Sequence, residues 1–163
     1  MSKATIHIHP GFFVYMALCI MLLPIKIIFA WFIASVVHEA GHILCITLMK
    51  KEILSFSIKG NGMFIELEPT SHWQESMIAL SGPLCGFSLL LISKYMPITA
   101  IFAVVQSVYN LLPFYPMDGG RALLGLFRSV FGCKKGLSIY RYFIYAIILI
   151  LLSVAVILLK SNT

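Results

Sequence analysis

His38-Glu39-Ala40-Gly41-His42 is the densest group of chemically active side chains in the sequence. Positions four apart share one face of a helix, so His38 and His42 can aim both imidazoles at a single metal ion. Glu39 stands beside that face, close enough to take a proton from a water on the metal. A tetrahedral zinc that keeps one position for water needs a third protein ligand. Four of the 6 acids, Glu52, Glu66, Glu68 and Glu75, fall in one polar stretch, which leaves Asp118 as the other acid beside an apolar segment. Asp118 follows Pro113-Phe114-Tyr115-Pro116, where the prolines break a helix and a carboxylate can turn toward the run that carries the histidines.

On a soluble helix an HExxH string is often only a surface pattern. Here it lies inside the apolar run Ile27 to Met49, where ionisable groups are costly and mark function. A structural account would need three polar groups merely satisfying one another within that run. His7 and His9 precede the first apolar run and read as interfacial side chains. His72 belongs to the polar stretch.

The elements that position these residues follow from composition. Of the 163 residues, 60% are hydrophobic and 11% charged, with a mean hydropathy of +0.97, against about 45–50% apolar and about 25% charged in soluble domains. That excludes a soluble globule and a disordered chain, and no heptad or longer repeat suggests a fibre or solenoid. At about 20 residues per crossing, roughly six helices fit. The apolar runs are Phe12 to Leu23, Ile27 to Met49, Met77 to Ile92, Ile98 to Leu112, the short Ala122 to Phe131, and Leu137 to Leu159. The expected fold is an all-α polytopic membrane protein with about six transmembrane helices, or five if the short one does not cross. Between residues 50 and 76, Ile53 to Ile58 and Met63 to Leu67 flank Gly60-Asn61-Gly62, and Ile65 and Leu67 alternate with Glu66 and Glu68. This predicts a small β-hairpin at the membrane surface. The expected organisation is one intramembrane domain over residues 1–163, with no room for a separate soluble domain and no cleaved signal peptide.

The formal charge of +6 comes from 12 Lys and Arg against 6 Asp and Glu. The basic residues sit at the ends of apolar runs, so the lipid bilayer rather than nucleic acid is the expected partner. Their distribution puts the N-terminus and the 50–76 connection on the cytoplasmic side, with Lys26 and Lys94 opposite. Cys19, Cys45, Cys85 and Cys133 stand singly, without CxxC spacing, and read as buried small apolar residues.

These residues resemble the site-2 protease family of intramembrane zinc metalloproteases. The likeness rests on His38-Glu39-Ala40-Gly41-His42, on Ser81-Gly82-Pro83 in the third run, and on Asn110-Leu111-Leu112-Pro113-Phe114-Tyr115-Pro116-Met117-Asp118-Gly119-Gly120-Arg121, in that order over residues 38 to 121. Ile6-His7-Ile8-His9-Pro10 and the stretch from the hairpin through Trp73 to Pro83 look most like the stage IV sporulation branch, whose members process an inactive sigma-factor precursor in endospore formers. The resemblance implies Zn2+ held by His38, His42 and Asp118, Glu39 as catalytic base, and Asn110 beside the substrate channel. It also implies peptide-bond hydrolysis in membrane-spanning or membrane-associated precursors, regulatory membrane partners, and a multi-pass place in a bacterial cell membrane, the one around a forespore included. Two features depart from the pattern. Pro83-Leu84-Cys85-Gly86 lacks the Asn that many members carry, and no CBS domain precedes the end at Thr163, so nucleotide regulation is not carried over.

The rival reading is a membrane metal-ion transporter or metal-binding protein using the same ligands. Such carriers are often built from repeated halves, and no internal repeat is visible. Glu39 has no needed place in that scheme. A catalytically dead scaffold would be expected to lose one of the four site residues, and all four are present. Apolar faces on the last run suit lipid or a second chain equally, so the oligomeric state stays open.

Overall fold

The computed structural model describes residues 5–59 and 62–161. In chain order these form β1 (Thr5–Ile8), α1 (Pro10–Leu22), α2 (Ile25–Leu48), β2 (Ile53–Lys59), β3 (Gly62–Leu67), α3 (His72–Phe87), a 3-10 turn (Ser88–Ile92), α4 (Pro97–Asn110), α5 (Asp118–Phe131) and α6 (Cys133–Ser161). Local chemistry sets the boundaries. Pro10 and Pro97 open α1 and α4, where a missing N–H costs nothing. Pro24 forces Leu23 into an extended conformation and so separates α1 from α2. Ser71 and Gln74 form a reciprocal capping box at the start of α3. Gly132, at φ 80°, closes α5.

Ile25–Leu48, His72–Ile92 and Cys133–Ser161 are long and apolar enough to cross a membrane. Their outward faces carry Phe29, Phe32, Leu44, Leu84, Leu149 and Ile157, all exposed. The chain is an integral membrane protein of the all-α polytopic class, with a small sheet beside the bundle. The shorter α1, α4 and α5 complete the helices among the described residues. The α5 helix begins at Asp118, earlier than the apolar run at Ala122 suggests, because the Asp-Gly-Gly-Arg turn itself is helical.

The bundle core is built from small residues. Ala34 of α2 and Ala103 of α4 meet Leu89, and Ala30, Ala79 and Ala100 are likewise buried. Between helices in lipid, where water supplies no hydrophobic drive, close backbone approach through small side chains is what makes packing favourable. The α2, α3, α4 and α5 helices form this core, and α6 leans on α5. The Ser76 hydroxyl donates to the Ala122 carbonyl at 2.8 Å, tying α3 to α5.

The predicted hairpin is present as β2 and β3, with Phe56 opposite Ile65 and Ile53 opposite Leu67. Its tip residues Gly60 and Asn61 lie outside the described residues. A third strand joins it: β1 runs parallel to β2, pairing Ile6 with Phe56 and Ile8 with Ile58, in the order β1-β2-β3.

Candidate metal centre

The α2 helix delivers His38 and His42 one turn apart, both buried, at 2% and 7% exposure. Asp118 comes from the first residue of α5 and is 9% exposed. Its Oδ2 lies 3.1 Å from His38 Nε2 and 3.3 Å from His42 Nε2, and the two Nε2 atoms are 3.3 Å apart. The Arg121 guanidinium stands 3.6 Å from the other carboxylate oxygen, Oδ1.

The ring of His42 is fixed from behind. Its Nδ1–H donates to the Ile78 carbonyl at 2.7 Å, which in the neutral imidazole leaves Nε2 as a lone pair facing His38 and Asp118. Gly82 makes this approach possible: a methyl there would overlap the His42 ring, and one on Gly41 would strike the Ser81 carbonyl and the Cys85 side chain. The Gly of the Ser81-Gly82-Pro83 motif is thus the surface on which a ligand rests.

Bonds of about 2.0–2.1 Å at tetrahedral angles would set ligand atoms about 3.3 Å apart, and the observed separations are 3.1 to 3.3 Å. Two imidazole nitrogens and a carboxylate oxygen converging in a buried space form a donor set suited to a cation, and His38, His42 and Asp118 can hold a metal ion.

Glu39 is half-buried on the same turn and makes no hydrogen bond or ion pair among the described residues. The ionisable groups that act on it are His42, His38, Asp118 and Arg121. Asn110, the last residue of α4, places its amide nitrogen 3.3 Å from His38 Nε2. The five residues assigned to the site from the sequence, His38, Glu39, His42, Asn110 and Asp118, are therefore at or beside one cluster. Sequence reasoning missed the Ile78 carbonyl, since a backbone acceptor leaves no mark in a residue pattern.

A second group of similar residues lies elsewhere. His72, at the start of α3, has Nε2 3.0 Å from Cys133 Sγ and Nδ1 3.4 Å from a Glu75 carboxylate oxygen. Cys133 is exposed rather than buried, and Cys19, Cys45 and Cys85 are partly exposed. The expectation of buried apolar cysteines is corrected: none of the four is buried, and Cys133, the first residue of α6, is the most open.

No family profile matches the chain. In an alignment 125 residues long that covers 66% of this chain, it is 27% identical to a zinc metalloprotease of Methanocaldococcus jannaschii. That match takes in 36% of the relative, so the chain spans about a third of the length of the curated protein it resembles. The solved structure of a site-2 protease from Methanocaldococcus jannaschii superposes with a TM-score of 0.63, covering 96% of this chain and 85% of that one at 24% identity. The chain is thus similar in sequence to a zinc metalloprotease and shares the fold of a site-2 protease.

Proposed function

We propose that the chain is an intramembrane zinc metalloendopeptidase of the site-2 protease type. The observation that carries this reading is the convergence of two histidines and one aspartate inside a bundle of membrane helices, with an unpartnered glutamate beside them. A zinc ion held by His38, His42 and Asp118 would supply Lewis-acid polarisation of a peptide carbonyl and acidify a water. Glu39 takes the proton of the attacking water and passes it to the leaving amine. The Ile78 carbonyl keeps the His42 ring in the ligating tautomer. The Asn110 amide, next to His38, is placed to donate a hydrogen bond to an extended substrate. Glu39 is more exposed than the three ligands, so its side is the open side of the cluster. In a metal carrier, a free carboxylate at this position has no task.

The substrate class that fits is a membrane-spanning or membrane-associated precursor whose helix has been unwound, since helical carbonyls are tied up in their own hydrogen bonds. An exposed sheet edge can offer backbone partners to such a segment, and β3 is one edge of this sheet. A sporulation sigma-factor precursor is one substrate to test, on the strength of the N-terminal and hairpin likeness. Co-expression of the chain with single-span and membrane-associated precursors, this one included, tests the reading. Cleavage by the wild type and at least a thousandfold slower cleavage by Glu39→Gln, with zinc retained, is expected. Equal rates in the two proteins would remove Glu39 as base, and cleavage of nothing would remove the protease reading.

A further inference from the structure

The two histidines share one helix, whereas Asp118 must be brought to them from α5. The first turn of α5 rests on the backbone of the loop before it. Gly119 lies against the Leu111 carbonyl, and Gly120 against the Phe114 carbonyl and the Tyr115 nitrogen, so closely that a methyl on either would overlap that backbone. Loop residues 111–115 are therefore the floor under Asp118.

This floor has few bonds of its own. Pro113 and Pro116 have no N–H to give, and the Met117 N–H closes one turn onto the Phe114 carbonyl at 2.9 Å. The clamp comes from α6. The Tyr140 hydroxyl accepts the Tyr115 N–H at 2.9 Å and donates to the Pro113 carbonyl at 2.9 Å. Tyr140 is 7% exposed and, with Gly136, is one of two buried residues of α6 among those described. Beside lipid, backbone groups without a protein partner have no water to turn to, so one hydroxyl that satisfies both a donor and an acceptor holds the loop in a single shape.

We propose that Tyr140 is a positioning residue for the metal centre: by clamping Pro113 and Tyr115 it fixes the floor on which the Gly119-Gly120 turn sets Asp118 Oδ2 toward His38 and His42. This rests on the metalloprotease reading above. Tyr140 touches neither ligand nor substrate and acts through Asp118.

The test uses the full chain in lipid nanodiscs, with Zn2+ affinity measured by competition against a chromogenic chelator. Tyr140→Phe, which keeps the ring and loses the hydroxyl, is expected to bind zinc roughly tenfold more weakly, the lower end for residues that support a ligand. Its kcat on a cleaved precursor falls while KM holds. In an Asp118→Asn background the same change costs nothing further, because the two act in series. Tyr142→Phe, an exposed tyrosine two residues on, behaves as wild type. Zinc affinity of Tyr140→Phe within twofold of wild type, while Asp118→Asn loses zinc, would overturn the proposal alone. So would an undiminished loss in the Asp118→Asn background, which would mark a general effect on the fold. If metal-free Tyr140→Phe does not fold, Gly120→Ala replaces it, lifting the same turn from the same floor without touching α6. Unchanged zinc affinity there overturns the proposal too. A wild type that binds no zinc through Asp118 overturns both this proposal and the metalloprotease reading.

Discussion

His38, His42 and Asp118 form one cluster and His72, Glu75 and Cys133 another, and the two share residue types while differing in geometry. In the first, three ligand atoms lie within 3.1 to 3.3 Å of one another in a buried space. In the second, His72 stands between its neighbours and uses one ring nitrogen toward each, at 3.0 Å and 3.4 Å, so the three residues form a line. A cation needs lone pairs that meet at a point, and a line of donors spends them on one another. Burial sharpens the contrast. Exposed polar groups can trade partners with water, whereas the buried ones gain most from a partner that satisfies all three at once.

This comparison can be broken from either side. The largest effect belongs to His42→Phe, which removes a ligand and one of two side-chain hydrogen bonds to the Ile78 carbonyl, the other coming from the Ser81 hydroxyl at 2.6 Å. Zinc affinity is expected to fall by more than the roughly 10–100-fold lost when only a supporting residue is changed, read as metal content after dialysis. Gly82→Ala comes next, since its methyl overlaps the His42 ring. Overpacking of this kind costs about 1–3 kcal/mol, and the melting temperature should drop together with zinc affinity. The smallest effect is expected at the linear cluster. Cys133→Ser or His72→Gln should leave zinc content and cleavage within about twofold of wild type and stability within about 1 kcal/mol, as for surface positions. A second zinc ion in the wild type that Cys133→Ser removes would show that a line of donors suffices.

Much of the metal centre was legible because ionisable groups at membrane depth are expensive and few residues there lack a reason. Glu39 and Asp118 stood out once the other acids were assigned to the polar stretch. Asn110 came only from the family likeness, and the structure places it at His38. Tyr140 could not be picked out, because a tyrosine in a chain with 13% aromatic residues carries no spacing that links it to a loop two dozen residues earlier. The helices were readable from apolar runs, with boundaries shifted where polar first turns, at His72 and Asp118, extend them. The hairpin was readable from period-2 alternation, but β1 was not. Four exposed residues before a helix give little signal, and their partner is reached only after two helices have turned the chain back.

That turning back has a consequence for the bilayer. Because β1 and β2 are hydrogen-bonded neighbours, α1 and α2 carry the chain away from the sheet and back to it, whatever the charge distribution. The outward leg, α1, has 13 residues and the return leg, α2, has 24, which at 1.5 Å per residue are about 20 Å and about 36 Å. Against a hydrocarbon layer about 30 Å thick, the short leg falls short where the long one suffices. The Leu23-Pro24 turn therefore either sits within the acyl chains or draws the far leaflet inward beside the histidine-bearing helix.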